Sequence, residues 1–89
     1  MLDTRRLQDL RGVGPALKKD LDILGIRSVA QLSRHDGKQL YRKLCRVTGT
    51  RQDPCVEDVL VCAVAQAKDP ALPVEQRNWW YWSRLRKSC

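Results

Sequence analysis

A short glycine-rich turn between two stripes of leucine constrains the fold of this chain more than any other feature. The leucines that flank the turn are Leu7, Leu10, Leu17, Leu21 and Leu24. The last three follow the i, i+4, i+7 spacing of a helix with one buried face. So few residues separate Leu10 from Leu17 that the connection must be a tight hairpin between two packed helices. The sequence therefore predicts a helical hairpin over residues 7–24.

Each residue of the turn has a separate predicted role. Gly12 follows the last apolar residue of the first helix and suits a left-handed C-terminal cap. Val13 is placed to fill the gap between the helices. Gly14 precedes Pro15, and proline is favoured in the first turn of a helix. The free amides around Gly14, at the positive end of the second helix, predict a nest that accepts an anion.

The turn resembles the helix-hairpin-helix motif, which reads apolar-x-Gly-apolar-Gly and holds a DNA backbone phosphate without reading sequence. The resemblance assigns phosphate contact to a group of hairpin residues: Arg11, Gly12, Val13, Gly14, Lys18 and Lys19. Lys18 departs from the pattern, since many such motifs have a small residue there. Either the helices cross farther apart, or Lys18 bends outward to solvent or phosphate. The alternative is a helix–helix turn without ligand.

The distribution of charge favours an anionic partner. The net charge is +7 and the pI is near 9.7. Residues 1–52 hold twelve basic and five acidic residues, whereas residues 53–89 hold five of each. The excess therefore lies in the half that contains the hairpin. A basic face favours polyanions, nucleic acid above all, although an anionic membrane surface would also attract it.

A second basic surface is predicted on an amphipathic helix over residues 38–47. Its apolar face is Leu40, Leu44 and Val47, with Tyr41 beside them. Its basic face, extended by a residue from the preceding helix, comprises Arg34, Lys38, Arg42 and Arg46. Two interpretations stay open, a solvated face or a second phosphate-contacting surface.

The remaining helices follow from their caps. The predicted helices cover residues 3–11 (or 4–11), 15–24, 28–34, 38–47 and 54–67. Asp53 and Pro54 open the last of these as N-cap and first residue, and its nearly all-apolar surface predicts the most buried helix. The predicted fold is all-α, a single compact helix-hairpin-helix (SAM-like) domain of about five helices over residues 1–89.

The C-terminal segment, residues 74–89, is rich in tryptophan and arginine. Trp79, Trp80, Tyr81 and Trp82 are adjacent, with basic residues on both sides. Aromatic residues among cations can stack on bases. We favour the other interpretation for most of them, because tryptophan supplies the large apolar area that closes the core of a small domain without phenylalanine. Any exposed tryptophan would suit an anchor for a protein partner.

The cysteines do not predict a metal site, because Cys-x-x-Cys is absent and His35 is the single histidine. Cys45 and Cys62 suit small buried residues. Cys55, at the second position of a helix, has a thiolate that the helix dipole would stabilise. A redox or alkylation sensor at Cys55, with Cys45 as resolving partner, is therefore an alternative function, although a packing role is favoured. We expect no cofactor.

Other functional classes are not favoured. The N-terminus becomes charged at once, unlike a signal peptide, and no apolar run reaches membrane-spanning length. We therefore expect a soluble cytoplasmic protein with no membrane partner. Some DNA glycosylases use a similar hairpin, but 89 residues leave no room for a flipped-base pocket. We expect a binding protein and not an enzyme.

Several segments together resemble a small bacterial family of pathogenicity-locus proteins, also called mitomycin resistance proteins. The most specific are Asp53-Pro54-Cys55-Val56 and Asn78-Trp79-Trp80-Tyr81-Trp82, and the resemblance spans residues 7–82. It implies an all-helical helix-hairpin-helix domain that binds DNA, with a link to DNA damage or drug resistance. Because one hairpin binds weakly, a homodimer or protein partner is expected. The competing hypothesis is a protein-interaction module that uses the tryptophan-rich segment.

Overall fold

The element around which the others pack is a 15-residue helix in the second half of the chain. The computed structural model describes residues 5–87, with the side chains of 86 and 87 excepted. The five α-helices are α1 (Pro15–Ile23), α2 (Val29–Leu32), α3 (Gly37–Thr48), α4 (Pro54–Lys68) and α5 (Trp79–Lys87). Two 3-10 helices cover Leu7–Asp9 and Val74–Arg77. No strand occurs between residues 5 and 87, which confirms the predicted all-α fold of about five helices.

Helix α4 is the most buried element, as predicted. The Asp53 carboxylate accepts the amide of Cys55 at 2.9 Å, and Pro54 occupies the first helical position. The side chains of α4 that reach the core are Leu60, Cys62, Ala63, Val64 and Ala67. Helices α2, α3 and α5 all pack on α4.

The first element of the hairpin is shorter than predicted. In place of a helix that reaches Arg11, the structure has the 3-10 turn Leu7–Asp9, preceded by extended backbone at Arg6 and followed by extended backbone at Leu10. The Arg11 amide, which would continue the helix, instead donates to the Oε1 of Gln66 on α4. The Asp9 carboxylate accepts the amide of Arg6 at 2.8 Å at the start of the short turn. The predicted caps at Asp3 or Thr4 lie outside the described residues.

The leucine stripes form the core, as predicted. The buried residues that the hairpin contributes are Leu7, Leu10, Val13, Leu17, Leu21 and Leu24. Helix α2 adds Val29 and Leu32, and its N-cap Ser28 accepts the amide of Gln31 at 3.0 Å. These side chains pack against the apolar residues of α3 and α4 in one continuous cluster.

Helices α3 and α4 approach each other closely at Gly37. A Cβ atom at that position would lie 2.5 Å from the Cα of Val61, so only glycine fits there. The buried face of α3 is therefore centred on Gly37, Leu40 and Leu44. Val47 was predicted to share this face, but it is 55% exposed because it lies at the margin of the face in the last turn.

The tryptophan-rich segment forms α5, which packs on α4. The prediction that most of its tryptophans close the core is wrong for Trp79 and Trp80, which are 41% and 43% exposed. Leucine, valine and alanine side chains fill the core, and among residues 79–85 of α5 the buried side chain is Ser83. Trp82 is half-buried, and its Nε1 donates to the carbonyl of Gln76 at 2.8 Å. None of the described helices has the length and apolar content needed to cross a bilayer.

Candidate nucleic-acid interface

The turn between the 3-10 helix and α1 has the backbone that its glycines predict. Gly12 has a φ of 89°, in the left-handed region that favours glycine. Gly14 is the N-cap of α1, with a φ of −91° that any residue can adopt. A Cβ atom at Gly14 would have no neighbour within 4 Å. The fold therefore needs glycine at position 12, whereas position 14 has room for a side chain and lacks one.

The start of α1 leaves backbone donors available. Four N–H groups have no acceptor among the described residues, those of Gly12, Gly14, Ala16 and Leu17. Lys18 is the first residue of α1 whose amide is bonded, at 2.9 Å to the carbonyl of Gly14. Because glycine has no side-chain oxygen, the N-cap satisfies none of the amides at the positive end of the helix. An anion is the ligand that such a helix end accepts best.

A buried glutamine on α4 holds this turn in place. Gln66 is 5% exposed, and its Oε1 accepts the amide of Arg11 while its Nε2 donates to the carbonyl of Arg11, both at 2.8 Å. Arg5 donates to the carbonyls of Gln66 and Ala67 near the end of α4. Sequence reasoning missed Gln66, although a single glutamine on the most apolar helix signals a buried polar group that needs partners.

One of the cations beside the hairpin, Lys18, is paired with an acid. Val13, Gly14, Lys18 and Lys19 lie together around a cavity of about 450 Å³. Asp22 also lines this cavity, and its carboxylate is 2.7 Å from the Nζ of Lys18. Lys18 therefore turns along α1 to an acid of the same helix. Lys19 is exposed. The two lysines of α1 are balanced by two aspartates, so the helix has no net charge.

The excess positive charge lies on and around α3. Residues 25–52 hold seven basic residues and one acidic residue. Four of the predicted contact residues belong to this set and are exposed: Arg34, Lys38, Arg42 and Arg46. None of the four has an ion-pair partner among residues 5–85. The last three recur every four residues and lie along one face of α3.

The structure divides the predicted contact residues among separate surfaces. The hairpin cavity holds Val13, Gly14, Lys18 and Lys19. Arg11 lines a different cavity, of about 210 Å³, which Arg5 and Arg77 also line. Lys38 lines a groove between α3 and α4. The other cations of α3 line none of these cavities. The predicted contact residues therefore fall into two separate groups. One group surrounds the hairpin cavity, and the other forms a charged face on and around α3.

Cys55 lies next to the hairpin. It is exposed and lines a cavity of about 330 Å³ that Gly12, Gly14 and Asp20 also line. Burial raises the pKa of the Asp20 carboxyl, and the nearby Lys19 partly offsets that rise. Cys45 does not line this cavity; it is half-buried, and its thiol accepts the amide of Gln52 at 3.4 Å. Because the two cysteines do not line a common cavity, the structure does not support Cys45 as the resolving partner of Cys55.

Cys62 is buried on α4. Burial raises the pKa of its thiol, which disfavours the reactive thiolate. Its thiol also donates to the carbonyl of Gln76 at 3.6 Å, which is consistent with a packing role for Cys62 in the core. Between residues 5 and 87, no three histidine, cysteine, aspartate or glutamate side chains gather as a metal site requires.

These features define a class of protein, small and all-α, in which a long buried helix holds a glycine hairpin and a basic helical face lies on a separate surface. The chain belongs to the pathogenicity locus family, Cdd1, whose family model matches residues 2–88. It is 35% identical over 85 residues to the mitomycin resistance protein McrB of Streptomyces lavendulae, across 96% of this chain and 77% of that protein. The resemblance inferred from the sequence is confirmed. No solved structure matches the chain.

Proposed function

We propose that this protein binds DNA without sequence specificity, as a binding protein and not as an enzyme. The hairpin acts as a shortened helix-hairpin-helix motif whose first helix is a single 3-10 turn. The observation that carries the proposal is the uncapped start of α1, where glycine leaves amide donors available for a phosphate oxygen. Contacts of this kind position a protein on the backbone and carry no sequence information.

The basic face of α3 supplies the long-range attraction in this proposal. Lys38, Arg42 and Arg46 are exposed and have no acidic partner among the described residues. Each phosphate that a cation neutralises releases counterions, so the affinity falls as salt rises. With a few such contacts, the logarithm of the binding constant should fall with the logarithm of salt concentration at a slope of about −2 to −5.

Fluorescence anisotropy of labelled duplex, single-stranded and junction DNA, measured against salt, tests the proposal with a capping variant. In Gly14→Ser, the serine hydroxyl accepts an amide at the start of α1, which competes with phosphate and stabilises the fold by a few tenths of a kcal/mol, about the margin by which serine exceeds glycine at an N-cap. We expect weaker binding to DNA at an unchanged or higher melting temperature. Loss of affinity through unfolding would lower that temperature, so the two causes are separable.

Ala16→Ser is the matched control. It adds the same hydroxyl to the same turn at an exposed position that cannot act as the N-cap. We expect Ala16→Ser to bind DNA more tightly than Gly14→Ser does. Equal affinity of wild type and Gly14→Ser at low salt would exclude the amides of α1 as the phosphate site.

The similarity to a protein named for mitomycin resistance supports a biological role in drug resistance. In this proposal, the role depends on DNA binding. Cells that produce the Gly14→Ser protein should therefore survive mitomycin less well than cells that produce wild type at the same level. Equal survival would separate resistance from the hairpin.

A second candidate function is a docking site for another protein chain, including a second copy of this one. The observation that favours it is the exposure of Trp79 and Trp80, together with Leu85 on the same helix. Association through these residues should resist salt. Sedimentation in 50 mM and 500 mM salt, for wild type and for Trp79→Ser/Trp80→Ser, tests self-association, because a dimer built on the two indoles is lost in the variant at both salt concentrations.

A further inference from the structure

We propose that the groove between the start of α3 and the middle of α4 binds one unpaired base of single-stranded DNA and its adjoining phosphate. The groove is lined by Gly37, Lys38, Val61, Ala65, Lys68 and Trp82. This inference rests on the proposed function. It extends that function from contact with the DNA backbone to single-stranded DNA as the preferred ligand.

The shape of the groove follows from the close approach of the two helices. Gly37 has no side chain and lies against Val61, so the backbone of α3 forms one wall. Val61 and Ala65 belong to α4 and give the groove an apolar floor. Its volume of about 340 Å³ lies at the small end of the range for ligand sites, which suits one nucleotide.

One aromatic residue borders this floor in a fixed position. The Nε1 of Trp82 donates to the carbonyl of Gln76 at 2.8 Å, and the ring of Tyr81 packs edge-on with its centroid 5.3 Å away. Because the polar atom of the indole is already bonded, Trp82 offers the groove its carbon surface. A flat, apolar and sequence-tolerant partner for such a surface is a nucleobase.

The rim of the groove carries the charge that a phosphate needs. Lys38 and Lys68 are exposed, and neither ammonium has an ion-pair partner within the described part of the chain. The acid on the rim, Asp36, caps α3 by accepting the amides of Lys38 and Gln39. Two lysines beside an aromatic surface match the pairing of phosphate and base in a single strand. In duplex DNA the stacked bases are not available to the groove.

The test uses Trp82 as its own reporter. The protein has three tryptophans, and Trp79→Phe/Trp80→Phe leaves Trp82 as the single indole. We expect a 12-nucleotide oligothymidine to quench Trp82 fluorescence, and an abasic 12-mer with the same phosphates to bind without quenching. Lys68→Glu in this background should weaken the oligothymidine about tenfold, while the affinity for blunt duplex changes less than twofold.

Lys43→Glu is the charge-matched control, because Lys43 is exposed on α3 and does not line the groove. It should weaken both DNAs alike. Equal quenching by the abasic oligomer, or equal effects of Lys68→Glu and Lys43→Glu, would overturn the inference. If the oligomers leave Trp82 unchanged while duplex binding still depends on Gly14, the groove inference is wrong and the proposed function stands. If no DNA binds at low salt, both are wrong.

Discussion

The hairpin and helix α3 hold complementary halves of what a DNA-binding surface requires. The hairpin has unsatisfied amides in a fixed geometry, but the charges of α1 cancel. Helix α3 has exposed cations, but the Asp36 cap satisfies amides at its start. A directional contact with little charge places a phosphate, and charge without direction attracts one. The difference between the two regions shows that net charge alone would locate the proposed interface on α3 and overlook the hairpin.

The largest expected effect is a loss of stability, caused by a substitution that pushes α3 away from α4. Gly37→Ala places a methyl group 2.5 Å from the backbone of Val61, where no flexible side chain can yield. We expect it to destabilise the fold by about 1–3 kcal/mol, measured by urea denaturation. The exposed neighbour Gln39→Ala should change stability by less than about 0.5 kcal/mol. Equal stability of the two variants would show that the helices do not meet at Gly37.

The second effect separates the hairpin from the charge of α3. Gln66→Met removes both hydrogen bonds to the main chain of Arg11 and leaves every cation in place. We expect a stability loss of about 1–2 kcal/mol, toward the lower part of the range for unpaired buried groups because Arg11 is exposed to water. DNA affinity at low salt should fall, with the salt slope reduced by less than one. An unchanged affinity would show that a loosened hairpin still binds.

The third expected effect comes from a substitution that removes charge from α3 and leaves the hairpin intact. Arg42→Gln should leave stability unchanged within about 0.5 kcal/mol and reduce the salt slope of DNA binding by about one. Lys43→Gln, in the same turn of α3 but on another face, is the matched control and should reduce the slope less. If the two variants have equal slopes, the predicted basic face has no special contact with DNA.

The smallest expected effect concerns Cys55. Because this exposed cysteine shares a cavity with Gly12 and Gly14, an iodoacetamide adduct there should lower DNA affinity by a few-fold without unfolding the protein. Cys55→Ser should bind DNA as wild type does and keep that affinity after treatment with the reagent. Fast alkylation of wild type at neutral pH with no loss of DNA affinity would favour a thiol sensor that acts independently of the hairpin.

Local rules accounted for most of the secondary structure. Spacing of leucines placed α1 in the core, and Asp53, Pro54 and Ser28 marked helix starts that the structure confirms. Those signals succeed because each depends on neighbours within one turn of the chain. The predicted first helix was wrong for the opposite reason, because the Arg11 amide that would continue it donates to a residue 55 positions along the chain. Gly12 has the predicted left-handed backbone but does not cap a helix, because the preceding turn ends at Asp9.

Features that depend on distant residues could not be predicted. Gly37 was not singled out because its importance arises from Val61, which is remote in sequence. The bond of Gln66 to Arg11 joins residues 55 positions apart. The exposure of Trp79 and Trp80 depends on how much apolar volume the leucines supply, and composition alone did not give that volume. The candidate site itself was partly predictable, since the hairpin residues are adjacent in the chain.

The clamp between Gln66 and Arg11 also has a consequence for hydrogen exchange. An amide in an exposed turn ordinarily exchanges with solvent through small local openings. The Arg11 amide is bonded to a side chain that is itself buried in α4, so it can exchange only when Gln66 withdraws. Its exchange rate should therefore follow that of the α4 backbone, while the amides of Gly14 and Ala16 exchange freely. The turn therefore joins one amide protected by the core to neighbouring amides, those of Gly14 and Ala16, that a ligand would protect.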